Sequence, residues 1–217
     1  MKSQVNLTWS LMRQGADPGQ ILLKLALRRA LLGCESVLDI GCGPARTLRQ
    51  LEVAHCVGFE GYRPAFEEAQ RLKTQDEMVF GDVRELSRYF KPRQFDACIA
   101  MDVIEHLPKD EGLKLMRDME AIAKKKVVFF TPNGFLPQRQ SADSDLQAHF
   151  SGWEAEEMRL HGYKVSGMLG PKYLRGEYHA IQRRPKAFWG TISALDQILR
   201  IQRQPEKAAA IFCVKSL

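Results

Sequence analysis

The 217 residues are 45% hydrophobic and 27% charged, proportions of a folded globular chain that exclude a disordered or fibrous protein. At this length one core suffices and there is no room for a second domain of equal size, so 1–217 reads as a single domain. The net charge of +6 and pI near 9.1 admit attraction to nucleic acid or to an anionic membrane. The positive residues, however, come in small groups such as Lys124 to Lys126 and "QRRPK", without interleaved aromatics, which favours a solvated basic surface.

The five cysteines, Cys34, Cys42, Cys56, Cys98 and Cys213, are odd in number and scattered, with no C-x-x-C pair. They read as reduced thiols of a cytoplasmic chain, and no metal is expected on this evidence. The first twenty residues lack the apolar core and cleavage site of a signal peptide. The stretch "ILLKLALRRALL" is interrupted by Lys24, Arg28 and Arg29 and falls short of the roughly 20 apolar residues that span a bilayer, so no transmembrane segment is expected.

In chain order, "DPGQILLKLALRRALL" opens with Asp17 as a candidate N-cap and Pro18 at the first helical position. Gln20, Lys24 and Arg28 then form one polar stripe on an otherwise apolar helix, which is expected to lie against the domain as part of an N-terminal extension over 1–33. Apolar strand-like runs alternate with helical patterns from there on. "SVLDI" is followed by "PARTLRQLE", "HCVGFE" by "PAFEEAQRL", "EMVFGD" by "VRELSRYF", and "FDACIAM" by "PKDEGLKLMRDMEAIA", with "KKVVFFTP" last. Such alternation predicts crossover connections and a doubly wound, Rossmann-like α/β sheet with helices on both faces.

"SGWEAEEMRLHG" places Ser151 three residues before Glu154, a capping-box spacing, and Gly162 at the far end as a stop. "YKVSGML" then predicts a sixth strand, and "AAAIFCVK" a seventh, antiparallel and at or near the sheet edge, for a seven-stranded, mainly parallel sheet. Between them, 171–206 is longer than a simple connection and reads as a helical insertion. There Phe188, Ile192, Leu195 and Leu199 share one helical face, and Asp196, Arg200 and Arg203 another.

Gly41 and Gly43 sit between the first strand and its helix, where residues without a β-carbon let backbone turn sharply and approach a ligand. A dinucleotide turn would want a third glycine at position 46, which is Arg46, and no G-x-x-x-x-G-K-[ST] occurs. Acid surrounds the turn. Asp39 precedes Gly41 by two residues, Glu60 ends the second strand and Asp82 follows the third. A carboxylate at the second strand's end can hold a ribose diol, and open α/β sheets bind ligands at the carboxyl ends of their strands.

"VLDIGCGPA", "VGFE", "GDVREL", "FDACIAMDVIEHLP" and "KKVVFFTPNG", in that order, resemble the class I S-adenosylmethionine-dependent methyltransferases, particularly the type 11-like group acting on small molecules, over about residues 30 to 170 and the terminal strand. The resemblance implies S-adenosyl-L-methionine as cofactor. It further implies Asp39, Gly41, Cys42 and Gly43 around the methionine portion, Glu60 on the ribose hydroxyls, Asp82 with the Val83 backbone at the adenine, and Met101 near the sulfonium. Where the family often has a third glycine at position 45, this chain has Ala45, small enough to leave room.

Methyl transfer needs alignment, plus a base if the acceptor atom carries a proton. Of the five histidines, His106 follows the fourth strand and His149 lies in the loop after the fifth, which places both as candidate bases. His55 and His161 read as structural, and His179 lies in the insertion. Asn133 reads as an Asx-turn before Gly134. Neither an Asn-Pro-Pro-Tyr-like sequence nor a Pro-Cys nucleophile follows the fourth strand, which counts against base-methylating nucleic-acid enzymes. The expected activity is methyl transfer to an O, N or C atom of a small organic acceptor. Methylation of RNA or protein is the first alternative. The second is a regulatory, membrane-associated cofactor binder using the helix near 187–201. A dimer stays open.

Overall fold

In a computed structural model of the chain, the residues described are 18–44, 47–51, 53–137, 148–176 and 180–217. The strands are β1 (Ser36–Ile40), β2 (His55–Glu60), β3 (Glu77–Phe80), β4 (Phe95–Met101), β5 (Ala123–Pro132), β6 (Lys164–Pro171) and β7 (Ala208–Ser216). The helices are α1 (Pro18–Ala30), α2 (Thr47–Gln50), α3 (Arg63–Leu72), α4 (Leu86–Tyr89), α5 (Lys109–Ile122), α6 (Ala155–Leu160) and α7 (Lys186–Leu199). One seven-stranded sheet runs in the order β3-β2-β1-β4-β5-β7-β6, with β7 antiparallel to both neighbours and the other pairs parallel.

The chain winds outward from β1 to β3 and then returns to lay β4 on the other side of β1. This reversal opens a crevice at the carboxyl ends of β1 and β4. Strand alternation divides the core between the two faces. Leu38, Ile40, Phe59, Cys98 and Phe129 pack with Leu86, Leu115, Met119 and Met158 on the face of α4, α5 and α6. Val37, Ile99, Val128 and Phe130 pack with Leu23 and Leu27 of α1 on the other. Asp39 therefore points to the α1 side, two residues on from Val37.

β7 lies near the sheet edge as expected, one strand in, between β5 and the edge strand β6. Its residues Ala208 to Cys213 are all buried, which requires neighbours on both sides. The capping box does not form, because α6 begins after Glu154 with no side-chain cap. Ser151 is buried instead, its hydroxyl donating to the Ile104 carbonyl and accepting from Trp153 Nε1. Gly162, at φ 86°, ends this segment as expected.

α7 packs by a polar face and leaves much of its apolar face uncovered. Phe188, Leu195 and Leu199 are exposed, whereas Ser193 and Gln197 are buried. Ser193 Oγ donates to the Leu169 carbonyl. The Gln197 amide accepts from Gly170 N–H at 2.8 Å and donates to the Gly167 carbonyl at 2.7 Å. β6 is the edge strand, and this helix satisfies its backbone groups with side-chain amide and hydroxyl, so polarity outweighs apolar area there. The candidate cap Asp17, together with Ala45, Arg46 and His179, lies outside the described residues.

Candidate active site

The turn after β1 requires its glycines. Gly41 and Gly43 have φ of 62° and 52°, a region that side chains with a β-carbon rarely adopt. A Cβ on Gly41 would also sit 2.5 Å from Val103 Cγ2. Gly41 N–H donates to the Phe59 carbonyl at 2.7 Å. Gly43 N–H donates to Glu60 Oε2 at 2.9 Å, and Tyr62 N–H to Oε1 at 2.8 Å. The buried Glu60 carboxylate thus ties the turn after β1 to the turn after β2.

Asp39 is 7% exposed and accepts from Gln75 Nε2 at 2.8 Å. Burial pushes its carboxyl up to about 7; the Gln75 hydrogen bond opposes this and the Glu60 charge adds to it. Gly58 is its β2 neighbour, and a Cβ there would meet Gln75 Cγ and Cys42 Sγ, each at 2.8 Å. The missing side chain leaves room for both groups. Burial raises the Cys42 thiol far above its ordinary value, which makes it a packing group and not a nucleophile.

A cleft of about 210 Å³ opens where the β1 turn, β4 and α1 meet. Asp39, Gly41, Cys42, Ile99, Met101, Asp102 and Phe130 line the sheet side, and Gln20, Leu23, Lys24 and Leu27 the helix side. Four of the expected cofactor residues, Asp39, Gly41, Cys42 and Met101, share this wall. Gly43, Glu60, Asp82 and Val83 lie along the same sheet edge but outside the cleft lining. Asp82 caps the short 3₁₀ turn Val83–Glu85, accepting from Arg84 N–H. The Arg84 guanidinium lowers its pKa by hydrogen bonding.

The exit of β4 carries a second cluster. Asp102 takes φ of 54°, strained for a residue with a β-carbon, and its N–H donates to the Phe130 carbonyl. Glu105 is 2% exposed. Its Oε2 accepts from Thr131 Oγ1 at 3.0 Å. Burial and then the nearby Asp102 carboxylate raise its pKa well above the usual range. His106 Nδ1 faces the Ala148 carbonyl at 3.1 Å, and His149 Nδ1 the Leu136 carbonyl at 2.7 Å. The two rings touch edge to face, with centroids 4.8 Å apart. The structure therefore brings together the two candidate bases, although neither is part of the cleft lining.

Asn133 makes a different set of contacts from the expected turn. Its buried amide donates to the carbonyls of Pro205, Glu206 and Ala208, tying β5 to the segment that enters β7. Sequence reading also missed several groups. Gln20 and Lys24 were visible as a polar stripe, and the structure turns that stripe onto the cleft, where Lys24 Nζ donates to Gln50 Oε1 at 2.6 Å. Partial burial lowers the Lys24 pKa. Gln75, Asp102 and Glu105 carried no local signal of their own.

Among the described residues no helix is long and apolar enough to cross a membrane. Residues 38–131 match the family model of a methyltransferase domain. No curated protein sequence matches the chain. Among solved structures, a S-adenosylmethionine-dependent methyltransferase from Archaeoglobus fulgidus is 18% identical, with a TM-score of 0.56 over 90% of this chain and 93% of that one. The methyltransferase domain of a bacterial Hen1 is 16% identical, with a TM-score of 0.56 over 89% and 96%. The plantazolicin methyltransferase BamL, solved with a desmethyl-plantazolicin analogue and S-adenosylhomocysteine, is 12% identical, with a TM-score of 0.53 over 97% and 88%. At these identities the likeness is one of fold. The stretch that matches the methyltransferase-domain model spans β1 to β5 and so takes in the glycine turn, the β2 carboxylate and the β4 exit.

Proposed function

We propose that the chain transfers a methyl group from S-adenosyl-L-methionine to an O, N or C atom of a small organic acceptor. The observation that carries this reading is the cleft between α1 and the carboxyl ends of β1 and β4, walled by buried Asp39 and by Met101. A buried carboxylate that accepts from the Gln75 amide suits an ammonium group, and the glycine turn beside it lets a ligand approach the backbone closely. In this reading Asp39, Gly41, Cys42 and Gly43 surround the methionine portion and Lys24 faces its carboxylate. Glu60 takes the ribose hydroxyls, Asp82 and the Val83 backbone the adenine, and Met101 the neighbourhood of the sulfur.

When bound, the cofactor supplies a methyl group already activated by its positive sulfur. The chain's part is alignment and exclusion of water. Charge distribution favours a small acceptor over RNA. Asp39, Glu60, Asp82, Asp102 and Glu105 all stand at or just beyond strand carboxyl ends, and among the described residues Lys24 is the single cation in the cleft lining. Such an acidic edge opposes phosphate. The Lys124 to Lys126 group opens β5 at the far edge of the sheet, away from the site.

The test is an acceptor screen that reads formation of S-adenosylhomocysteine, run beside RNA binding at rising salt. Turnover on a small hydroxyl, amine or activated-carbon compound, with no salt-sensitive RNA binding, supports the reading. Turnover on RNA alone overturns the small-acceptor assignment and leaves the methyl donor in place.

A further inference from the structure

We propose that Glu105, His106 and His149 bind a divalent transition-metal cation beside the cofactor cleft. A carboxylate oxygen and one ring nitrogen from each histidine lie within 4.8 Å of one another. The expectation of no metal rested on cysteine spacing. These three ligands come from two chain segments 43 residues apart, and no spacing rule joins them.

Three features distinguish the cluster from an ordinary packed histidine pair. First, Glu105 Oε1 is fully buried and meets no N–H donor, while Oε2 is held by Thr131; its side-chain partner is the Asp102 carboxyl. Two buried acidic groups in contact need a positive charge between them, a shared proton or a metal cation. Second, both imidazoles turn Nδ1 to a backbone carbonyl. In the neutral ring this places the proton on Nδ1 and the lone pair on Nε2, the arrangement that orients metal-binding histidines. Third, the backbone holds the ligand segments together, since the Glu105 carbonyl accepts from Phe150 N–H at 2.8 Å and from Ser151 N–H at 3.1 Å.

Ligand atoms bound to one ion at about 2.0 to 2.2 Å lie roughly 3 to 4 Å apart. A separation of up to 4.8 Å therefore closes by modest side-chain rotation. Two imidazoles and one carboxylate suit Mn²⁺, Fe²⁺, Co²⁺ or Zn²⁺ better than Mg²⁺, which prefers oxygen and water. Three protein ligands leave positions open for an outside oxygen.

The cluster also adjoins the donor site, because Asp102, whose carboxylate interacts with Glu105, lines the cofactor cleft. A cation there selects acceptors with an ionisable oxygen. Such a hydroxyl gives its proton to water, its oxygen bonds to the methyl carbon, and the carbon–sulfur bond breaks with its electron pair kept by sulfur. This role at the acceptor rests on the methyltransferase reading; binding of the cation does not.

The full chain, stripped with EDTA and dialysed, is titrated with MnCl₂ by calorimetry and with CoCl₂ by visible absorption. S-adenosylhomocysteine binding is measured on each sample. The expected result is one Mn²⁺ and one Co²⁺ per chain, with His106→Ala and His149→Ala each weakening binding at least 10-fold while S-adenosylhomocysteine still binds. Glu105→Gln probes the carboxylate, and His149→Ala, on a part-exposed loop, serves if the buried substitution does not fold. Absence of saturable Mn²⁺ and Co²⁺ binding, or binding unchanged in both histidine variants, overturns the proposal. Loss of S-adenosylhomocysteine binding from the folded, metal-free wild type would count instead against the donor assignment.

Discussion

Replacing Asp39 by Asn should make the protein more stable and a poorer cofactor binder, with the gain in stability appearing only as pH rises. The Asp39 carboxyl is raised from 3.8 to about 7, chiefly by burial. Between those two pH values the folded chain keeps a proton that the unfolded chain has released, so its stability falls as pH increases through that window and levels off above about 7. At about 1.4 kcal/mol per pH unit, the rise amounts to roughly 4 kcal/mol at most, a large share of the 5 to 15 kcal/mol that typically holds a domain together. Asn cannot ionise, and its Oδ1 can still accept from Gln75. Urea denaturation of both proteins at pH 4, 5, 6, 7 and 8 gives the difference directly, and Glu105, common to both, cancels. The variant should match wild type near pH 4 and exceed it increasingly up to pH 8. Parallel profiles would refute the buried, uncompensated carboxylate. Because an ammonium ligand favours ionised Asp39, wild-type affinity for S-adenosylhomocysteine should also increase between pH 5.5 and 7.5, and this increase should be absent in Asp39→Asn.

Glu60→Ala should weaken S-adenosylhomocysteine binding by about 1 to 3 kcal/mol in calorimetry, through loss of charged hydrogen bonds and release of the Gly43 and Tyr62 N–H groups it now holds; unchanged affinity would remove it from the site. Gly41→Ala combines a positive φ with a contact at 2.5 Å to Val103, so it should lower the melting temperature and the cofactor affinity together, which thermal shift with and without ligand will show. Gln197→Ala leaves Gly170 N–H and the Gly167 carbonyl unpaired and should cost about 1 to 3 kcal/mol in denaturant unfolding. Leu195→Asp, on the exposed face, should stay within about 0.5 kcal/mol of wild type. The reverse ranking would mean that the apolar face of α7 is the buried one.

The fold was legible wherever burial and periodicity agree. β1, β2 and β4 match the apolar runs from which they were read, residue for residue, because central parallel strands are buried on both faces and leave few alternatives. The same reasoning reached less far at the sheet's edge. The apolar run of β7 carries no record of which neighbours flank it, and α7 packs by Gln197 and Ser193 because edge-strand backbone needs partners more than Leu195 needs cover. At the site, Asp39, Gly41 and Cys42 were visible since turn chemistry is local. Gln75, which holds Asp39, and the pairing of His106 with His149 depend on contacts across 36 and 43 positions and could be found only once the chain was folded. Lys24 stood in plain sight as part of a polar stripe, but its facing the cleft and not solvent is a property of how α1 docks.

The central claim is that the acid-lined glycine turn holds S-adenosyl-L-methionine. Calorimetric titration of the folded full chain with S-adenosylhomocysteine at pH 8, where Asp39 is ionised, tests it most directly. The account predicts saturable binding of one molecule per chain, lost or strongly weakened in Asp39→Asn. A folded chain that gives no saturable heat, or that binds equally well without the Asp39 charge, would contradict it.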